Sequence, residues 1–181
     1  MRGSSPRLVN TLPPIKRSST SFALPAPKAA HLRVGRVAPV EHTAQVGALV
    51  DALAATVATA DAAFVDLDFS TGIVAVKEFI DRVNGYVTEQ EPWALAKDPA
   101  NAERLATVLY TVIEGLRALA VLLSPFIPLA TEKLWSALGV SGSLGALNAQ
   151  PIRSAGEWGQ LAVGTQLGAL EPLFPRIESA E

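Results

Sequence analysis

The run Asn84-Gly85-Tyr86-Val87-Thr88-Glu89-Gln90-Glu91-Pro92-Trp93-Ala94-Leu95-Ala96-Lys97 decides how this chain is read. Upstream of it Ile73, Val76, Phe79, Ile80, Val83 and Val87 recur at three- and four-residue steps, which is the period of one helix face. Lys77, Glu78, Asp81 and Arg82 fall mostly off that stripe, and Ser70 is the expected cap of the helix. Pro92 lacks a backbone donor and stops the helix, so Trp93 is aimed rather than free. An indole held at a helix end serves either as a buried corner plug or as a platform for an unstacked base. Taken alone, the residues leave both open.

Working outward, Val46, Leu49, Val50, Leu53, Val57 and Phe64 give an earlier helix through an alanine-rich stretch that begins near His42. On the other side Asp98-Pro99 opens the longest element, with aspartate as cap and proline at the first helical position. Leu105, Val108, Leu109, Val112, Ile113, Leu116, Leu119 and Leu123 give it a wide apolar face, so it is the expected central helix. Ser124-Pro125 and Pro128 interrupt the pattern, and Ala130 to Leu138 follows as a short helix closed by Gly139. From about residue 140 the chain carries glycine, proline and short apolar pairs, which predicts an irregular wrap with one hairpin. The expected fold is an all-α antiparallel bundle with an irregular C-terminal extension, about residues 140–181.

The net charge of −2 conceals an asymmetry. Arg2, Arg7, Lys16, Arg17, Lys28, Arg33 and Arg36 stand in residues 1–40 with no acid, and the remaining 8 bases face all 17 acids in residues 41–181. Residues 1–38 are rich in serine, proline and arginine and lack periodicity, which is the composition of a disordered basic tail. Residues 39–181 form the expected folded domain. An acidic domain is a poor general binder of nucleic acid, so any RNA contact should be local and shape-driven.

The same inventory narrows the chemistry. There are no cysteines, which excludes disulfides and thiolate metal sites, and the cytoplasm is the simplest compartment. No uninterrupted run of about 18 apolar residues appears, so neither a membrane span nor an export signal is expected. The two histidines, His31 and His42, lie in or beside the tail, and no phosphate-cradling glycine loop occurs. Asp66 and Asp68 sit on a helix connector, where solvation is the natural reading of paired carboxylates. No catalytic residue, metal ligand or cofactor is therefore assigned.

Asn84-x-Tyr86, the run Glu89 to Asp98, Leu116-Arg117 and Leu122-Leu123-Ser124-Pro125-Phe126-Ile127-Pro128 ahead of Leu134-Trp135 together resemble the helical anticodon-binding domain of methionyl-tRNA synthetases, which are class I enzymes. The Asn-x-Tyr and Pro-Trp elements recur in the leucine, isoleucine and valine branches. The segment from Trp158-Gly159-Gln160-Leu161 to Pro175-Arg176-Ile177 resembles the C-terminal extension of the bacterial methionyl enzymes in particular. The likeness covers about residues 42–178.

The resemblance implies that Trp93 stacks on an anticodon base beside Pro92, with Asn84, Thr88 and Glu89 as candidates for reading base edges and Lys97 for a phosphate. Each polar residue has a bland alternative as a helix-terminal or solvated group. Trp135 and Trp158 read as packing residues, and Arg117 as spanning the bundle surface or pairing with an acid. The implied partner is methionine tRNA, held weakly by this chain alone, with a catalytic synthetase domain as a second partner. ATP and methionine would bind that catalytic domain, whose signature loops do not occur here, so this chain is not expected to aminoacylate. The family's asparagine-rich opening helix is replaced here by the Ser/Pro/Arg segment. Two other readings stay open: a helical module that docks on a protein partner, and a truncated or frame-shifted gene product without tRNA binding.

Overall fold

The computed structural model describes residues 43–162, 164–169 and 172–175. The expected basic tail, residues 1–38, lies outside them. Among the described residues the regular structure is entirely helical.

Helix α1 (Ala44–Val65) starts at Thr43, whose hydroxyl accepts the Val46 amide at 3.3 Å. It buries Val46, Leu49, Leu53, Val57 and Ala60, the face its periodicity indicated. Helix α2 (Phe69–Gln90) returns antiparallel to it, joined by a three-residue turn. Its cap is Asp68 rather than Ser70, because the Asp68 carboxylate is the group that accepts the Thr71 amide, at 3.1 Å. The apolar stripe of α2 is also shorter than expected. Val76, Phe79, Val83 and Tyr86 are buried, but Ile73 lies near the free end of the helix and stays exposed.

The chain then turns through the short helix α3 (Pro92–Leu95) and a 3₁₀ turn (Pro99–Asn101) into α4 (Ala102–Leu123). Asp98 caps as expected, accepting the Ala100 amide at 2.9 Å, with Pro99 in the first position. Helix α4 is central: residues from Val108 to Leu122 are buried on nearly every side, against α1, α2, and α5 (Pro128–Ala137). Pro128 opens α5 instead of breaking it, since a first helical position needs no amide hydrogen. Gly139 then adopts φ +67° with the Gln166 carbonyl 2.3 Å from where a Cβ would sit, so only glycine fits there.

Beyond α5 lie α6 (Ser141–Leu144) and 3₁₀ turns at Leu147–Ala149 and Ile152–Gly156, the latter packed on both α1 and α4. No hairpin occurs among the described residues; the extension is held by side chains instead. Glu114 accepts the Leu161 amide, Tyr110 donates to the Leu161 carbonyl at 3.3 Å, and Arg117 donates to the carbonyls of Ser154, Ala155 and Glu157. Trp135 is fully buried and donates to the Gly145 carbonyl at 3.0 Å, and Trp158 packs on the core from its edge, so both are packing residues. Arg117 is not on the surface. It lies 1% exposed, paired with Glu114 at 2.9 Å.

Helices Ala44–Val65 and Pro99–Leu123 are each long and apolar enough to cross a membrane by length and composition. The apolar face of the second is mostly buried inside the fold, where it makes the core.

Candidate nucleic-acid interface

The antiparallel arrangement gives the bundle two ends. One gathers the start of α1, the end of α2, α3 and the start of α4; the other gathers the α1–α2 turn and the α4–α5 turn. Trp93 belongs to the first.

Its placement follows from a local contest between backbone and side chains. Helix α2 ends because Glu91 flips into the left-handed region (φ 45°, ψ 57°), its amide still bonded to the Val87 carbonyl at 3.1 Å. Glu91 is at once the last cap of α2 and the first of α3, and Pro92 fixes the next φ. Within the single turn Pro92–Leu95 the side chains divide: Leu95 is buried in the core, Pro92 is half-buried, and Trp93 points outward with 55% of its surface exposed. Leu95 is the plug, which leaves the indole free. A large aromatic surface open to water, on a backbone fixed by proline and a buried neighbour, is the geometry a base-stacking platform requires.

Asn84 and Thr88 lie one turn apart on the exposed side of α2, and the Thr88 hydroxyl donates to the Asn84 carbonyl at 3.0 Å. That bond occupies the Thr88 proton and leaves the Asn84 amide group facing solvent. Glu89 and Lys97 are also exposed. Gln90 takes the opposite side: it is buried, and its Oε1 accepts from Arg104 Nη2 at 3.3 Å, tying the end of α2 to the start of α4. Sequence reasoning missed this brace, because nothing in a helix pattern signals a contact fourteen residues away.

Tyr86 stands beneath this end. Burial pushes its phenol above the ordinary value, against the opposing effect of a Thr111 hydrogen bond and the Arg104 charge. Along the segments that form this end the charges are mixed, Arg82, Lys97 and Arg104 among Glu89, Glu91, Asp98 and Glu103. This end therefore offers no broad cationic surface. Among the described residues no cluster of three or more His, Asp or Glu side chains converges to hold a metal ion.

The family model described as the anticodon-binding domain of tRNA ligase matches residues 48–168, which is most of the chain. The chain belongs to that family. Among its relatives, the methionine–tRNA ligase of Streptomyces coelicolor is 50% identical over 134 residues, 72% of this chain and 25% of that protein. The methionine–tRNA ligase of Bacillus subtilis is 38% identical over 147 residues, 81% of this chain and 21% of that protein. The structure of the free Mycobacterium tuberculosis methionyl-tRNA synthetase superposes with a TM-score of 0.69 at 26% identity, over 82% of this chain and 28% of that one. The chain thus spans about a quarter of the length of the relatives it matches. The expected all-α anticodon-binding fold of methionyl-synthetase type is borne out by both the helices and these relatives.

Proposed function

We propose that this chain recognises the anticodon of methionine tRNA in the cytoplasm, as the anticodon-binding part of a methionyl-tRNA synthetase whose chemistry takes place on a separate catalytic domain. The observation that carries the reading is the exposed indole of Trp93 on its proline-fixed turn. An unpaired anticodon base stacks on that face, Pro92 holds the ring direction, and the Asn84 amide and the Thr88 hydroxyl oxygen address base edges from the adjoining side of α2. Stacking of one base is worth about 1–3 kcal/mol, which selects among RNAs but does not by itself hold tRNA against an acidic surface. The isolated chain is accordingly a weak binder, and ATP, methionine and any membrane lie outside its role. Filter binding of a methionine anticodon stem-loop to the native chain, Trp93→Phe and Trp93→Ala tests this. Affinity should fall in that order, and equal affinity across the three refutes the stacking role.

A second reading, docking onto a protein, rests on the opposite end of the bundle. There Val65, Leu67 and Leu129 are 75%, 72% and 82% exposed, and Phe69 and Val74 lie open beside them. Leu67 occupies the left-handed position of a helix-ending turn, in which the Asp68 amide bonds the Ala63 carbonyl at 2.8 Å and the Leu67 amide bonds the Phe64 carbonyl at 3.2 Å. An apolar cluster of this kind favours association. The two readings are compatible, since they use opposite ends.

A further inference from the structure

We propose that the seven basic residues of segment 1–40 bind RNA phosphates and supply the charge-driven share of tRNA affinity that the helical domain lacks. This rests on the anticodon reading above and adds to it a contact that carries no sequence information.

The partition of charge is the first ground. Arg2, Arg7, Lys16, Arg17, Lys28, Arg33 and Arg36 stand in residues 1–40 without an acid, whereas residues 41–181 hold 8 basic residues against 17 acids, a net −9. Phosphate contacts dominate affinity for nucleic acid, and an acidic domain repels them. The second ground is what the fold does with the domain's own cations. Arg117 is buried against Glu114, Lys77 pairs with Asp81 at 2.6 Å, Arg153 pairs with Asp61 at 2.9 Å, and Arg104 donates to Gln90. Along the segments that form the Trp93 end, Arg82 and Lys97 then stand against Glu89, Glu91, Asp98 and Glu103. Two cations do not offset four acids, so the phosphates that flank a base on Trp93 need a counter-charge from elsewhere in the chain.

The order of the chain brings that charge to the same end. Helix α1 begins at the Trp93 end, and Arg36 is joined to its Thr43 cap by seven residues, a span of at most about 25 Å. Arg33 precedes the same cap by ten. Tethering of this kind raises the effective concentration of the cations at an RNA already stacked on the indole.

The pattern of the residues decides the ligand class. Five of the seven are arginine, whose planar fork meets two phosphate oxygens at once. No more than two basic residues are adjacent and no helical apolar period accompanies them, so the segment lacks the dense basic cluster and apolar face that hold an anionic lipid surface. Cations spread along the chain suit a ligand whose charge is repeated along a strand. Charge-driven affinity of this kind lies at about 10⁻⁴–10⁻⁶ M, which keeps the chain a weak binder.

The test compares the full native chain with two full-length variants, one with all seven basic residues changed to glutamine and one with the five arginines changed to lysine. Both are titrated with methionine tRNA and its anticodon-altered version between about 50 and 200 mM salt. All seven residues precede α1, so helix content by circular dichroism should stay native. The glutamine variant should bind both tRNAs at least about tenfold more weakly at low salt, with a log–log salt slope shallower by about 3 or more and the native ratio between the two tRNAs kept. The lysine variant should keep the slope. Trp93→Ala should do the reverse of the glutamine variant, losing the ratio and keeping the slope. A glutamine variant with native affinity and slope overturns the proposal. So does a glutamine variant that loses binding to phosphatidylserine vesicles while holding tRNA as before, which would make the segment a membrane contact. If the native chain holds both tRNAs equally and the glutamine variant loses both, the phosphate contact stands and the anticodon reading fails. If only Trp93→Ala weakens binding, the anticodon reading stands and the phosphate contact fails. A native chain that binds neither tRNA refutes both.

Discussion

Arg117 and Glu114 form a 2.9 Å ion pair inside the bundle, with 1% and 0% of their surfaces exposed. The pair holds the C-terminal extension to the central helix: Glu114 accepts the Leu161 amide, and Arg117 serves three carbonyls between Ser154 and Glu157. Breaking a buried pair from one side strands the other charge, at a cost of about 3–5 kcal/mol. Arg117→Met should therefore lower stability by about that amount in urea unfolding. Glu114→Gln should cost a similar amount, because its single amide oxygen cannot serve both Leu161 and Arg117 and the buried guanidinium, which keeps its proton, loses its counter-charge.

Trp93 and Trp135 should respond in opposite ways to truncation. Trp135 is wholly buried, and Trp135→Ala should cost about 3–5 kcal/mol by the usual penalty for emptying an aromatic site. Trp93→Ala removes a half-exposed ring and should change stability by no more than about 0.5 kcal/mol. Thermal melts of the two variants check this, and a large loss for Trp93→Ala would make it a packing residue.

Leu67 sits at φ 61°, where a side chain costs about 1 kcal/mol and glycine nothing. Leu67→Gly should leave stability unchanged or raise it by up to about 0.5 kcal/mol, after the entropy that glycine adds to the unfolded chain. Leu67→Ala, still strained, should show no gain. Gly139→Ala is the converse case, adding a Cβ both to a positive φ and to a close carbonyl. It should cost roughly 2 kcal/mol or more.

The only two tyrosines of the chain, Tyr86 and Tyr110, both have phenols raised above the ordinary value. Burial is the main cause in each, and the Glu114 charge adds to it at Tyr110. A raised folded-state pKa means that this stability is complete below the unfolded value near 10 and is lost as pH rises through the folded values. Tyrosinate absorbance should therefore show no transition at the ordinary midpoint, and denaturant stability should fall above about pH 10. A tyrosine titrating normally in the native chain would contradict this placement.

The helices were legible because α1, α2 and α4 each carry a three-to-four-residue apolar period long enough to outvote local exceptions. The caps were legible only in part. Ser70 and Asp68 are both good capping residues, and the choice between them is made by the Leu67 turn, which no pattern announces. In the candidate site, Pro92-Trp93 was conspicuous, but whether the indole points in or out depends on Leu95 taking the inner position. The Gln90–Arg104 brace arises where separate helices meet, so it has no signature in a linear sequence. Of the two readings of Arg117, pairing with an acid holds and spanning the surface does not; that the pair is buried and serves backbone carbonyls of an irregular segment has no linear signature.

The most direct test of the central claim is a tryptophan-fluorescence titration of the full chain with methionine tRNA and with an anticodon-altered version, repeated for Trp93→Ala. Quenching that requires both the native anticodon and Trp93 is the predicted result, read against the buried Trp135 and the partly buried Trp158 that Trp93→Ala retains. Equal quenching by the two tRNAs, or binding that survives Trp93→Ala unchanged, would contradict anticodon recognition through Trp93.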